Sequence, residues 1–325
     1  MDRNTIQEVL NKYGVRLQNF NGVSGGLLHN MYEIETLSNK FALKAFNPNI
    51  LNTKDILLSY ELSEEIAEKF FDNGINAVSA ITSLDGSKIV KVNKLYFSLY
   101  NWVDGIVLTK PDQEKILLLL EELDKIHNTD VGHYPLSRYK IRDFKSFDWN
   151  ELIERHSFSD EVDQKVKFLS KFITDYLFDI KESYQLLSSN LIISHRDLDM
   201  KNIIWDDNNP YIIGWESVGW INPVEELVSF ALDWSMVDGE HDLEVIRLIV
   251  SKYKEGKSIK KEEFIASFKT ALNNKFGWLI FNLARSLDED ISENELSIAK
   301  DQVNKSINNL FFLASNTKKF EELLG

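Results

Sequence analysis

Apolar and polar positions alternate with a period near two in several short runs of the first hundred residues. Residues 31–36 and 41–46 read as strands around Ser38-Asn39-Lys40, a hairpin turn. Residues 78–83, 88–92 and 95–100 read as further strands, with Asp85-Gly86 turning the chain. Two helical patterns interrupt them. Residues 5–13 carry Thr5 and Glu8 at capping-box spacing and stop at Gly14. From 52 to 71, Leu58, Leu62, Ile66 and Phe70 recur every four residues. After Gly105 helical periods dominate, over 111–127, 160–187, 223–234, 242–253 and most of the chain beyond Lys261. Between them lies one β-like block, 191–213. The pattern predicts an α+β architecture: a small β-rich lobe with one helix over 1–103, a hinge at 100–105, and a larger, mainly helical lobe over 104–325.

Composition narrows the function classes. The 325 residues include no cysteine, which removes disulfide frameworks, zinc ribbons and thiolate nucleophiles. No two of the six histidines stand as H-x-x-x-H. The net charge of −14 argues against a nucleic-acid partner and suits a cationic small molecule. The longest purely aliphatic run, 116–120, is far short of a membrane span, and the N-terminus lacks an apolar signal-peptide core. A cytoplasmic protein with no membrane partner is expected.

The densest chemistry is His195-Arg196-Asp197-Leu198-Asp199-Met200-Lys201-Asn202, a polar loop between two apolar runs. An Asp followed five residues later by an Asn suits phosphoryl transfer. Asp197 can accept the proton of a substrate hydroxyl, and the Asn202 amide oxygen can ligate Mg²⁺ on nucleotide phosphates. The string fits the kinase catalytic-loop pattern. Upstream, Ser24, Gly25, Gly26 and Asn30 lie in a Gly-containing loop whose backbone N–H groups can approach phosphates. Phe41-Ala42-Leu43-Lys44 follows as a strand carrying a phosphate-clamping lysine. Glu61 and Glu64, on the next helix, are both candidates to pair Lys44, although the expected slot falls nearest Ser63. Asn101 and Val103 are candidates to meet an adenine ring.

In order and spacing these motifs resemble the aminoglycoside phosphotransferase family, relatives of choline and homoserine kinases and, more distantly, of protein kinases. The likeness runs from Val23 to Trp234, anchored by Gly25-Gly26, Asn30, Lys44, Val103-Asp104-Gly105, Ile126-His127 and 195–202. It implies a two-lobed protein-kinase-like fold, ATP or GTP as donor, Mg²⁺, and phosphorylation of a hydroxyl on a small substrate such as an aminoglycoside or another cationic alcohol. By position Asp197 would be the base, Asn202 a metal ligand and Lys44 the phosphate clamp.

One departure stands out. Where the family has Ile-Asp-Trp-Glu, whose Asp is the main Mg²⁺ ligand, this chain reads Ile213-Gly214-Trp215-Glu216. Glycine offers no side-chain oxygen, so transfer should be impaired by orders of magnitude. Glu216 is a possible substitute ligand. The alternative is a catalytically silent nucleotide-binding or scaffold protein on the same fold. On the acceptor side Asp233, the run 288–290, and Trp215, Trp220, Trp234 and Trp278 are candidates, each with a plain structural reading as a solvated helix end or core.

Overall fold

Five antiparallel strands make the N-terminal sheet, in the order β1-β2-β3-β5-β4: β1 (Asn19–Val23), β2 (Asn30–Glu35), β3 (Lys40–Ala45), β4 (Val90–Val92) and β5 (Leu95–Asn101). The computed structural model describes residues 1–23, 29–142, 144, 148–156, 159–237, 240–288 and 291–324. Period-two alternation sorts β3 into two faces. Leu43 and Ala45 join Ile34, Phe97, Leu99 and the Ile6, Val9 and Leu10 of α1 (Arg3–Asn11) in one core. Lys44 lies on the opposite face, in register with Ser98 of β5. Helix α2 (Lys54–Asp72) follows β3.

Two expectations need correcting in this region. Helix α1 is capped by Asp2 rather than Thr5, because the Asp2 carboxylate accepts the N–H groups of Asn4 and Thr5, both at 3.0 Å. Residues 78–83 form no strand. Their N–H groups go to separate partners, Val78 to Ile212 O (2.9 Å), Ala80 to Glu64 Oε2 (2.7 Å) and Ile81 to Leu99 O (2.7 Å), so no ladder forms.

The chain packs as two units, 1–137 with 193–219, and 138–192 with 220–325. Helix α3 (Gln113–His127) and the polar loop 195–202 belong to the first of these units. In that first unit β7 (Ile203–Asp206) and β8 (Asn209–Ile212) form a hairpin after β6 (Ile192–Ser194), and β9 (Gly219–Ile221) begins at its last residue. Gly105 brings the end of the sheet segment onto β7. Ile106 exchanges backbone hydrogen bonds with Trp205 (3.0 and 2.8 Å), and a Cβ at Gly105 would stand 2.5 Å from the Trp205 carbonyl oxygen. No side chain fits there.

The second unit is helical: α4 (Trp149–Glu154), α5 (Asp160–Tyr176), α6 (Ile180–Leu187), α7 (Pro223–Trp234), α8 (Leu243–Lys254), α9 (Lys261–Arg285), α10 (Glu293–Ser315) and α11 (Thr317–Leu324), with a short β10 (Met236–Val237) and β11 (Glu240–His241) pair. Helix α9 packs against α6, α7, α10 and α11 and buries Phe264, Phe268 and Phe276. The single period expected over 160–187 is broken into α5 and α6. Asp179 stands at the break, its carboxylate held by Lys269 of α9 through two 2.7 Å contacts. Among the described residues no helix is long and apolar enough to cross a membrane.

Candidate active site

The loop after β6 is organised by His195, which is fully buried. Its Nε2–H donates to the Ile213 carbonyl (3.0 Å), and its Nδ1 accepts the Asp197 N–H (3.2 Å). One imidazole, fixed in one tautomer by these two bonds, therefore ties Asp197 to the residue before Gly214. Arg196 takes a left-handed backbone (φ 66°), and its guanidinium donates to the carbonyls of Ser217 (2.5 Å), Ser137 (2.9 Å) and Val218 (3.4 Å). Those charge-assisted bonds offset the strain of about 1–2 kcal/mol that a non-glycine residue carries there.

Asp197 is held by its own loop. The Asn202 amide donates to the Asp197 carbonyl (2.7 Å) and to its Oδ2 (2.9 Å), while the Lys201 ammonium reaches Oδ1 (3.3 Å) and Asp199 (2.9 Å). The Asp197 pKa lies above the ordinary value. Desolvation raises it, and the Lys201 charge pulls the other way. Asp197 and Asn202 thus meet as their spacing predicts. Lys44 belongs to the same unit.

The partner of Lys44 is not on α2. Its ammonium pairs with Glu216, and neither Glu61 nor Glu64 is its ion-pair partner. Glu64 is buried and otherwise engaged: its Oε1 accepts the Tyr100 hydroxyl (2.5 Å) and its Oε2 the Ala80 N–H. Ser63, in the slot where a carboxylate was expected, turns its hydroxyl back to the Tyr60 carbonyl (2.7 Å). Burial alone would raise the Glu216 pKa, but the Lys44 charge and hydrogen bond outweigh it and hold the carboxyl below its ordinary value. His29, close by, is pushed down to about 4 by burial and then by the Lys44 charge, so it is neutral at pH 7.

Gly214 takes a left-handed conformation (φ 76°, ψ 46°) at the head of a single 3-10 turn, Trp215–Ser217. Trp215 pins that turn. Its ring stacks on Phe70 of α2 (5.2 Å between centroids), meets His195 edge-on (4.6 Å), and donates Nε1–H to the Ile212 carbonyl (3.0 Å). A Cβ on Gly214 would lie 2.6 Å from Asn202 Oδ1. The Asn202 amide thus leans into the space that a side chain at 214 would need.

The donor set does not fit a protein-held Mg²⁺. Among the described residues no three His, Cys, Asp or Glu side chains converge as ligands. Asn202 Oδ1 is one neutral oxygen, whereas Mg²⁺ is ordinarily held by one or two carboxylates besides phosphates and water. Glu216, the candidate substitute, is bound to Lys44, and Asp199 to Lys201.

The remaining candidates fall as follows. Ser24, Gly25 and Gly26 lie outside the described residues. Asn30 opens β2 and Asn101 closes β5, both exposed, and Val103 is half-buried in the extended segment beyond. In the second unit Asp233 is paired with Lys275 (2.6 Å) and Trp234 is core. Trp220 is half-buried, and Trp278, 36% exposed, stacks on Phe281. Trp215 is core in the first unit, and Glu289 and Asp290 lie outside the described residues. Sequence reasoning missed the positioning role of His195 and the Lys44–Glu216 pair. The second had one signal, the serine at the slot where α2 should supply a carboxylate.

The chain belongs to the phosphotransferase enzyme family (APH), whose profile matches residues 19–248. No curated protein matches it in sequence. Solved structures share the fold at low identity. A spectinomycin phosphotransferase, APH(9)-Ia, in complex with ADP and spectinomycin is 14% identical, with a TM-score of 0.66 over 98% of this chain and 99% of that one. A microcompartment-associated aminopropanol kinase is 14% identical, with a TM-score of 0.65 over 99% of each chain. An amicoumacin kinase, hAmiN, bound to AMP-PNP and Ca²⁺ is 12% identical, with a TM-score of 0.60 over 95% of this chain and 94% of that one. The fold is therefore the two-lobed, protein-kinase-like α+β fold.

Proposed function

We propose that this protein is a cytoplasmic nucleotide-dependent phosphotransferase, with ATP or GTP as donor and a hydroxyl of a small cationic molecule as acceptor. Residues 1–103, with the hinge at 100–105, serve as the nucleotide lobe, and 104–325 supply the catalytic loop and the acceptor site. The observation that carries this reading is the arrangement of Asp197, fixed by the His195 and Asn202 bonds, in one unit with Lys44. Lys44 binds donor phosphates. The acceptor oxygen attacks the γ-phosphorus, the bond to the β,γ-bridging oxygen breaks, and Asp197 takes the hydroxyl proton. The raised pKa of Asp197 suits a base that must hold that proton in the transition state.

Gly214 favours a second reading, a nucleotide binder with little or no turnover, since the space for a carboxylate at 214 is taken by the Asn202 amide. Turnover of ATP and GTP across aminoglycosides and small amino alcohols, compared between this chain and Gly214→Asp, separates the two. Turnover regained in Gly214→Asp supports the kinase reading. If neither protein turns over although both bind nucleotide, the silent binder is the better description.

A further inference from the structure

The first unit contains an ion pair that the family pattern places elsewhere. In the Lys–Glu arrangement of kinase folds the carboxylate comes from the helix after the lysine strand. Here α2 presents Ser63 in that slot, and the neighbouring Glu64 already accepts from Tyr100 and the Ala80 N–H. Glu216, 172 positions beyond Lys44, fills the gap. Three features make this pair a built one. Both side chains are largely shielded, 13% and 18% exposed. The Lys44 ammonium lies over two aromatic rings, 5.5 Å from the Tyr100 ring centre and 5.9 Å from that of Phe46. The turn carrying Glu216 is fixed on one side by Trp215 against Phe70 and on the other by Arg196 on the Ser217 carbonyl.

We propose that Glu216 is the positioning residue of the phosphate-clamping Lys44, the carboxylate of the pair having moved from α2 to the turn after Gly214. It is therefore not a stand-in metal ligand. This rests on the reading of the first unit as the nucleotide site. An ammonium can make three hydrogen bonds, so Lys44 can keep Glu216 while donating to a phosphate oxygen. A carboxylate two residues after a left-handed glycine reaches the sheet lysine, whereas one at 214 would meet Asn202. The loss of the carboxylate at 214 and the shift of the pair are thus features of one turn.

The test is ADP binding to the full chain by calorimetry, once in Mg²⁺ and once in EDTA. Glu216→Gln should weaken ADP about tenfold in both, the scale of losing one charge-assisted contact in a shielded site. That loss should vanish in a Lys44→Met background, because the lysine through which Glu216 acts is gone. Glu216→Asp, which keeps the charge on a shorter arm, should recover part of the affinity and carries the test if Glu216→Gln does not fold. Weakening confined to Mg²⁺ would make Glu216 a metal ligand and overturn the proposal. Unchanged or tighter binding would overturn it too, as would a larger loss in Glu64→Gln. A wild-type chain that binds no ADP under either condition would overturn the nucleotide-site reading, and this inference with it.

Discussion

Residues 195–202 and 213–217 are the two polar segments of the site, and His195 joins them by one hydrogen bond at each end of its ring. In the first, every side chain that the kinase pattern requires is present and used locally: Asn202 on Asp197, Lys201 between Asp197 and Asp199. In the second, the turn is held as firmly but carries no side chain at 214. Trp215 anchors the turn and the backbone at 214 is left-handed, but the acidic group sits two residues later, on Lys44. The difference shows that backbone geometry and donor set can separate. A left-handed position is one that glycine occupies freely and other residues occupy at a cost, so Gly214 holds this turn without strain.

The sharpest way to break this comparison is at the intact segment. Asp197→Asn should lower any phosphoryl transfer, in wild type or in Gly214→Asp, by about 10²–10⁴-fold, the usual worth of a positioned base. ADP affinity should stay close to that of the parent protein. The check is single-turnover kinetics beside calorimetry, and an undiminished rate would remove Asp197 from the chemistry.

The next effect falls on stability. Trp215→Ala removes a buried ring stacked on Phe70 and edge-on to His195, so it should cost about 3–5 kcal/mol in denaturant unfolding. The loss should also weaken ADP, because Glu216 loses its footing. A cost below about 1 kcal/mol would mean that the turn is held by something other than this ring.

Much of this architecture is legible in the amino-acid sequence. The strands were legible because alternation reports a sheet with two different faces, as at Leu43 and Lys44, and the polar loop because Asp197 and Asn202 interact over five residues. What escaped was tertiary in origin. Residues 78–83 have strand composition, but their N–H groups face three different partners. The helical period over 160–187 runs through Asp179, where the break is held by Lys269 from a distant helix. The sequence offers Glu61 and Glu64 to Lys44; that Glu216 takes the lysine instead depends on which carboxylates other groups have claimed, and no spacing rule carries that information.

The smallest expected effect is a change of slope, and it separates the two carboxylates near Lys44. Burial pushes the Glu64 carboxyl up to about 7 from an ordinary value of 4.5, against the pull of Lys44 and with a further push from Glu216. A raised folded-state pKa means that the native protein holds the proton more tightly than the unfolded chain. The stability from this group is then full below 4.5 and is lost as the pH rises through about 7. Glu216 has the opposite sign, since its pKa is lowered: its contribution is present above 4.5 and is lost as the pH falls through the folded value. Glu64→Gln mimics the protonated acid, accepting from the Ala80 N–H while donating to the Tyr100 oxygen. Its unfolding free energy should therefore gain on wild type as the pH is raised from about 5 to about 8. Glu216→Gln should instead trail wild type by a constant margin over that range and close on it only as the pH falls below about 4.5. Parallel curves for wild type and Glu64→Gln would show that this carboxyl does not titrate there, and that Lys44 is shared between the two acids rather than held by one.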